Sequence, residues 1–149
     1  MRVMLDTNVL ARLARPSDPD YLLAFRAVNA LRAAGDELVI VPQCLYELWS
    51  VATRPTTKNG WGFSPSQAAA ELANFRALFT VLPDVPAILP EWERLVVAHS
   101  VVGKNGHDAR MAAAMLVHGV THLLTFNDGD FRRFPITVLI PAAVLPPGP

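Results

Sequence analysis

The stretch Met4–Leu10, MLDTNVL, sets a carboxylate where the chain changes direction. Arg2 to Leu5 reads as a short apolar strand, and Val9, Leu10 and Leu13 recur at helical spacing just beyond it. Asp6 stands at the junction. A strand followed at once by a helix is the opening of an α/β unit, in which the helix returns over the sheet. The plain reading of Asp6 is a helix N-cap, a place that aspartate favours. The other reading is a cation ligand, because a carboxylate at the end of a buried strand is costly unless it is paired or binds a metal.

Outward from this junction the same alternation continues. A helix is expected from about Asn8, and a second from about Asp20 to Ala34, ending before Gly35. Leu38–Val41 reads as the second strand, stopped by Pro42, with a helix from about Cys44 to Ala52. RPTTKNGWGF, residues 54–63, reads as a loop. Ser64, Pro65 and Gln67 form a capping-box start for a helix whose apolar stripe is Ala68, Leu72, Phe75 and Phe79. FTVLP is a short third strand, and Pro90 opens a helix to about Val101. Asp108–Val117 is helical and ended by Gly119, THLLT is the fourth strand, and ITVLI after Pro135 is the fifth. Strands alternating with helices predict a mostly parallel central sheet of about five strands, flanked by helices on both faces as a three-layer α/β fold. Residues 1–140 form one domain, and Pro141–Pro149 is a Pro-rich tail expected to be extended.

Composition narrows the classes. Of the 149 residues 52% are hydrophobic, which predicts extensive burial and little disorder. The 13 basic and 13 acidic residues cancel, so no overall field favours nucleic acid, although a local basic patch remains open. The single cysteine, Cys44, cannot form an internal disulfide and reads as core. No secretory signal and no run of about 20 apolar residues is visible. A soluble, cytoplasmic protein with no membrane association is expected.

Topology gathers the acids. In a parallel sheet all strands end on one edge, where ligands of open α/β sheets bind. Asp6 follows strand one, Glu47 lies one turn into the helix after strand two, and Asp108 begins the helix that returns to strand four. Asn127, Asp128 and Asp130 follow strand four. Glu47 shares a helix face with Cys44, Leu48 and Val51, and Asp108 shares one with Met111, Ala112 and Met115, so each acid ends a buried stripe. An acid in a first helical turn also favours the helix dipole, which is the alternative for Asp108. Carboxylates converging at one edge repel unless protons or a cation intervene. Oxygen ligands without a His or Cys cluster suit Mg²⁺ or Mn²⁺, not zinc.

MLDTNVL, YELWSVATRP, NGWG and HDARMAAAMLVHGVTHLLTFNDGDF, in that order from residue 3 to about 140, resemble the PIN-domain nucleases, and within them the VapC toxins of bacterial toxin–antitoxin pairs. The resemblance implies a PIN-like fold and Mg²⁺- or Mn²⁺-dependent hydrolysis of RNA phosphodiester bonds. It carries over Asp6, Glu47 and Asp108 as catalytic and metal-binding acids. The fourth position falls on Asn127 or Asp130; Asn127 is neutral, so Asp130 is taken as the fourth acid, completing a second, weaker metal site. Thr7, Asn8, Thr125 and Asn127 would support the site. The implied partners are RNA, a small antitoxin that covers the acidic pocket, and a second copy in a homodimer.

RNA requires positive charge near the acids, and Arg12, Arg15, Arg54, Lys58, Lys104 and Arg110 are candidates by sequence proximity. Trp61 could stack on a base, or simply anchor its own loop. His107 reads either as support for Asp108 or as a helix-start hydrogen bond. Arg132 and Arg133 read equally as ordinary solvated charge. His118 and His122 have metal-pair spacing, but Gly119 ends the helix between them. VVGKNG lacks the first Gly and the Ser or Thr of a phosphate loop, and no Gly-x-Ser-x-Gly occurs. An aspartyl phosphohydrolase needs a second Asp two residues after the first, where Asn8 stands. The alternative reading is a catalytically silent PIN-like domain that binds RNA or protein.

Overall fold

The computed structural model describes residues 1–147. Five strands, β1 (Arg2–Leu5), β2 (Glu37–Ile40), β3 (Thr80–Val81), β4 (His122–Leu124) and β5 (Thr137–Leu139), form one sheet in the order β3-β2-β1-β4-β5. Every pairing is parallel. Met4 faces Val39 on one side and Leu123 on the other, so β1 is the centre. Val3, Met4 and Leu5 are fully buried, which is why this strand reads as a continuous apolar run.

The connecting helices are α1 (Thr7–Leu13), α2 (Tyr21–Ala33), α3 (Pro42–Thr53), α4 (Pro65–Leu78), α5 (Ile88–Ala98), α6 (Asn105–His118) and α7 (Pro141–Val144). From β1 the chain winds outward through β2 to β3, then crosses back to β4 and on to β5. Right-handed crossovers therefore place α1–α4 on one face and α5–α6 on the other. The packing agrees: α1 lies against α2 and α3, α3 against α4, and α5 against α6. The winding reverses between β1 and β4, and that reversal fixes where a crevice opens.

The ends of several elements differ from the sequence reading, each for a local reason. Pro42 does not merely stop β2; it occupies the first turn of α3, where its missing N–H costs nothing. Pro90 likewise sits inside the first turn of α5, which starts at Ile88. That helix stops at Ala98 instead of running to Val101, since Ser100 turns left-handed at φ 49°. α6 begins a turn earlier than Asp108, at Asn105, and ends at Gly119 with φ 69°. The predicted capping box at Ser64 and Gln67 is present in both directions. The extended tail is corrected in part: residues 141–144 form α7, Pro141 is buried, and the helix packs against α2. Gly148 and Pro149, at the end of that tail, lie outside the described residues.

The loop 54–63 has a definite task. It folds back on the end of α3, whose last carbonyls have no partner within the helix. Trp61 N donates to Val51 O, Phe63 N to Ala52 O and Gly62 N to Arg54 O. Gly60 is obligatory there, because a Cβ would lie 2.0 Å from Arg54 O. Trp61 packs against the core, so it anchors its own loop.

Candidate active site

Asp6 closes β1 and starts α1. Its N–H donates to Leu124 O at 3.0 Å, continuing the ladder between β1 and β4 by one rung. Its Oδ1 accepts from Thr7 N at 2.7 Å, so the N-cap reading holds. Its Oδ2 accepts from Thr125 Oγ1, also at 2.7 Å. The residue is only 8% exposed.

The direction of that second bond is fixed by a chain of donors. Phe126 N donates to Asn8 Oδ1, which turns the amide so that Asn8 Nδ2 donates to Thr125 Oγ1. Asn127 N donates to the same oxygen at 3.0 Å. With both lone pairs of Thr125 Oγ1 occupied, its one proton goes to Asp6. MLDTN and LLTFN are thus knitted across the gap between β1 and β4.

Three more carboxylates stand around Asp6. Glu47, Asp108 and Asp130 line a cavity of about 240 Å³ with Lys104, Asn105 and His107. Thr7 Oγ1 donates to Glu47 Oε1 at 3.3 Å. Burial pushes the Asp6 carboxyl up to about 6, and the charges of Glu47 and Asp130 push the same way. The Asp108 carboxyl is also raised to about 6, first by burial, then by Asp130, Asp6 and Glu47, with His107 opposing. Four acids from four chain segments therefore share one field. Among the described residues, no three acid, His or Cys side chains stand close enough to grip an ion directly.

The segment after β4 separates its acids. Asp128 is half-buried and pairs with Arg132, whose guanidinium holds its carboxyl below the usual range. Asp130 lines the cavity instead. Asn127 contributes its backbone N–H to Thr125.

Of the six basic candidates, Lys104 lines the acidic cavity. Arg12 lies over the Phe126 ring at 4.7 Å and bonds Asn8 O, with Asp20 at 3.8 Å. Arg15 lies over Trp61 at 5.3 Å. Arg54 is two turns beyond Glu47, about 10 Å along the helix axis, with Lys58 further on in an exposed turn. Arg110 is paired with Asp84 at 3.3 Å. His118 Nε2 bonds Pro83 O, and His122 Nδ1 bonds Thr121, so this pair is not a metal clasp. Cys44 is buried, donates to Leu5 O, and has its thiol pushed up to about 12 by burial, which leaves no nucleophile.

One residue escaped the sequence reading. Gln43, 6% exposed, donates through Nε2 to His107 O at 2.8 Å and accepts at Oε1 from Arg110 at 3.2 Å. It ties α3, which carries Glu47, to α6, which carries Asp108. The only hint was a polar residue next to Cys44 in a helix that is otherwise apolar on its inner face.

A family model described as the PIN domain matches residues 3–136. The comparison with curated protein sequences finds no match. Among solved structures, VapBC2 from Rickettsia felis, bound to a DNA fragment from its promoter, is similar at 17% identity and TM-score 0.71, covering 94% of this chain and 98% of that one. DNA-bound VapBC from Salmonella typhimurium is similar at 18% identity and TM-score 0.70, covering 95% and 98%. VapC20 from Mycobacterium tuberculosis, a toxin that cleaves the sarcin-ricin loop, is similar at 22% identity and TM-score 0.65, covering 87% and 92%.

Proposed function

The chain belongs to the PIN-domain family, and from that premise we propose that it is a divalent-cation-dependent ribonuclease, the toxin of a toxin–antitoxin pair. The observation that carries this reading is the shared field of Asp6, Glu47, Asp108 and Asp130 beside the cavity where the sheet reverses its winding. The donor set is all oxygen and fits Mg²⁺ or Mn²⁺. Mg²⁺ keeps several waters and needs only one or two carboxylates plus substrate phosphate, which suits acids too far apart for a three-sided grip.

In this reading Asp6 and Asp108 would hold the cation, with Asp130 available as a further ligand. A cation there supplies Lewis-acid activation of water and charge neutralisation at the phosphate. Glu47, steadied by Thr7, orients the attacking water and accepts its proton. The Thr7 N–H aims Asp6 Oδ1, and Thr125, held by Asn8 and Asn127, aims Oδ2. Lys104 receives a phosphate oxygen at the cavity rim.

Partners follow the similar structures, two of which are VapBC complexes: a small antitoxin protein is proposed to cover the acidic cavity. A homodimer is proposed as well, supported by exposed apolar surface at Val97 and Val102. A cytoplasmic location is proposed on the single, buried cysteine; among the described residues no helix is long and apolar enough to cross a membrane.

The test is cleavage of end-labelled single-stranded RNA with Mg²⁺ or Mn²⁺, beside EDTA and Asp6→Asn. Cleavage lost in both controls supports the reading, and full activity of Asp6→Asn overturns it. The wide spacing of the acids favours one rival, a catalytically silent PIN-like domain that binds RNA or protein. Calorimetry decides between them, since the rival has no Mg²⁺ or Mn²⁺ affinity.

A further inference from the structure

A second cavity, of about 480 Å³, lies across α6 from the acids. Val85, Ile88 and Leu89 form its apolar side and Trp92 its aromatic side. The indole is fixed, because Trp92 Nε1 donates to Gly106 O at 2.8 Å. Arg110 and Asp84, 3.3 Å apart, supply a cation and a carboxylate at one edge.

The start of α6 is the partition between the two cavities. Gly103, Gly106, His107 and Arg110, at spacings of three and four residues, face the apolar cavity. Lys104, Asn105, His107 and Asp108 face the acidic one. His107 lines both, so the two cavities lie side by side at the helix start.

We propose that this second cavity is a nucleobase subsite. It takes the unstacked base of a nucleotide whose phosphodiester lies at the acidic cavity, and thereby gives the enzyme a base preference beside the bond it cuts. The inference rests on the ribonuclease reading and deepens it. A base has apolar faces and a hydrogen-bonding edge, which match the apolar and aromatic sides and the Arg110–Asp84 edge. Arginine and aspartate together can meet an acceptor and a donor of the same base edge. Sequence-specific RNA readers hold splayed-out single-stranded bases in this manner. The volume falls within the range of small-molecule sites. Adjacency to the acidic cavity, with His107 as the shared wall, favours a nucleotide over a protein side chain.

The test is binding of the four ribonucleoside monophosphates against ribose 5-phosphate, with diamagnetic Mg²⁺ present, read on the Trp92 indole N–H resonance. The variant is Leu89→Trp. Leu89 is 61% exposed at the rim, so a larger side chain there fills the cavity without entering the core. We expect one nucleotide to bind about tenfold or more tighter than ribose 5-phosphate. Leu89→Trp should abolish that advantage while Mg²⁺ affinity is kept. Equal binding of the nucleotides and ribose 5-phosphate overturns the subsite, as does a Leu89→Trp protein that binds like wild type. Altered sedimentation of Leu89→Trp with unchanged nucleotide binding makes the cavity a protein interface and also overturns it. The two readings fail separately: base-selective binding without RNA cleavage removes the ribonuclease alone, and cleavage without base selectivity removes the subsite alone.

Discussion

Asp6 is held by donors that fix what each of its oxygens does. Thr125 is the pivot, since its hydroxyl accepts from Asn8 and Asn127 and donates to Asp6. Thr125→Val keeps the shape and removes all three bonds. We expect a loss of about 1–3 kcal/mol in a urea melt, from buried groups left unpaired. The Asp6 carboxyl should then titrate above its present value of about 6, read by NMR, because the Thr125 hydroxyl is the strongest influence holding it down. Asp6→Asn is mismatched for a related reason: its Nδ2 must face either the Thr7 N–H or the Thr125 hydroxyl proton, both donors. We expect it to fold and to lose metal-dependent cleavage. The placement of Asp6, Glu47 and Asp108 was legible in the sequence, because strand ends and buried helix stripes locate acids without coordinates. The work of Thr125 on Asp6 was not, since it depends on a register between β1 and β4 that no local pattern contains.

At the scale of elements, the site depends on two helices that reach it from opposite faces of the sheet. Gln43 is the tie between them. Gln43→Leu fills the same space but strands His107 O and one Arg110 N–H. We expect about 1–3 kcal/mol of lost stability, and about tenfold weaker Mn²⁺ binding by calorimetry as the Glu47 and Asp108 helices lose their alignment. Such a bridge joins residues far apart in the chain, so helical periodicity shows Gln43 only as an oddity. The end of α3 depends equally on Gly60. Gly60→Ala drives a methyl into Arg54 O, and the loop can no longer seal the last carbonyls of the helix. A loss of about 2 kcal/mol or more is expected on thermal melting. Helix starts were misplaced where Pro42 and Pro90 were read as boundaries, since proline breaks a helix interior yet suits its first turn.

For the whole molecule, the acids set a balance between folding and function. Asp6 and Asp108 titrate near 6 when folded, against an ordinary 3.8. An acid raised in this way binds its proton more tightly folded than unfolded. Its stabilising contribution is therefore complete below about pH 4 and is lost as pH rises through about 6. The metal-free chain should melt several degrees lower at about pH 7.5 than at about pH 5. Saturating Mn²⁺ should raise Tm more at the higher pH, where the carboxylates are charged. Scanning calorimetry at both values checks this. The parallel sheet and the gathering of acids on one edge were legible from the alternation of strands and helices. The tail was not, because α7 is held by its docking on α2 and four residues carry little helical signal of their own.

The bond from Thr125 to Asp6 joins residues 119 apart in the chain. β1 is made first, yet its second neighbour is β4, close to the other end. At ordinary rates of synthesis, about ten seconds separate the appearance of Asp6 from that of Thr125. For that interval the growing chain has its first acid without the Thr125 hydroxyl that aims Oδ2, and no floor between β1 and β4 on which a cavity could form. A fragment released before β4 therefore lacks the site. On the proposed reading, activity then waits for β4 to be made, which leaves time for a neutralising protein to be synthesised alongside.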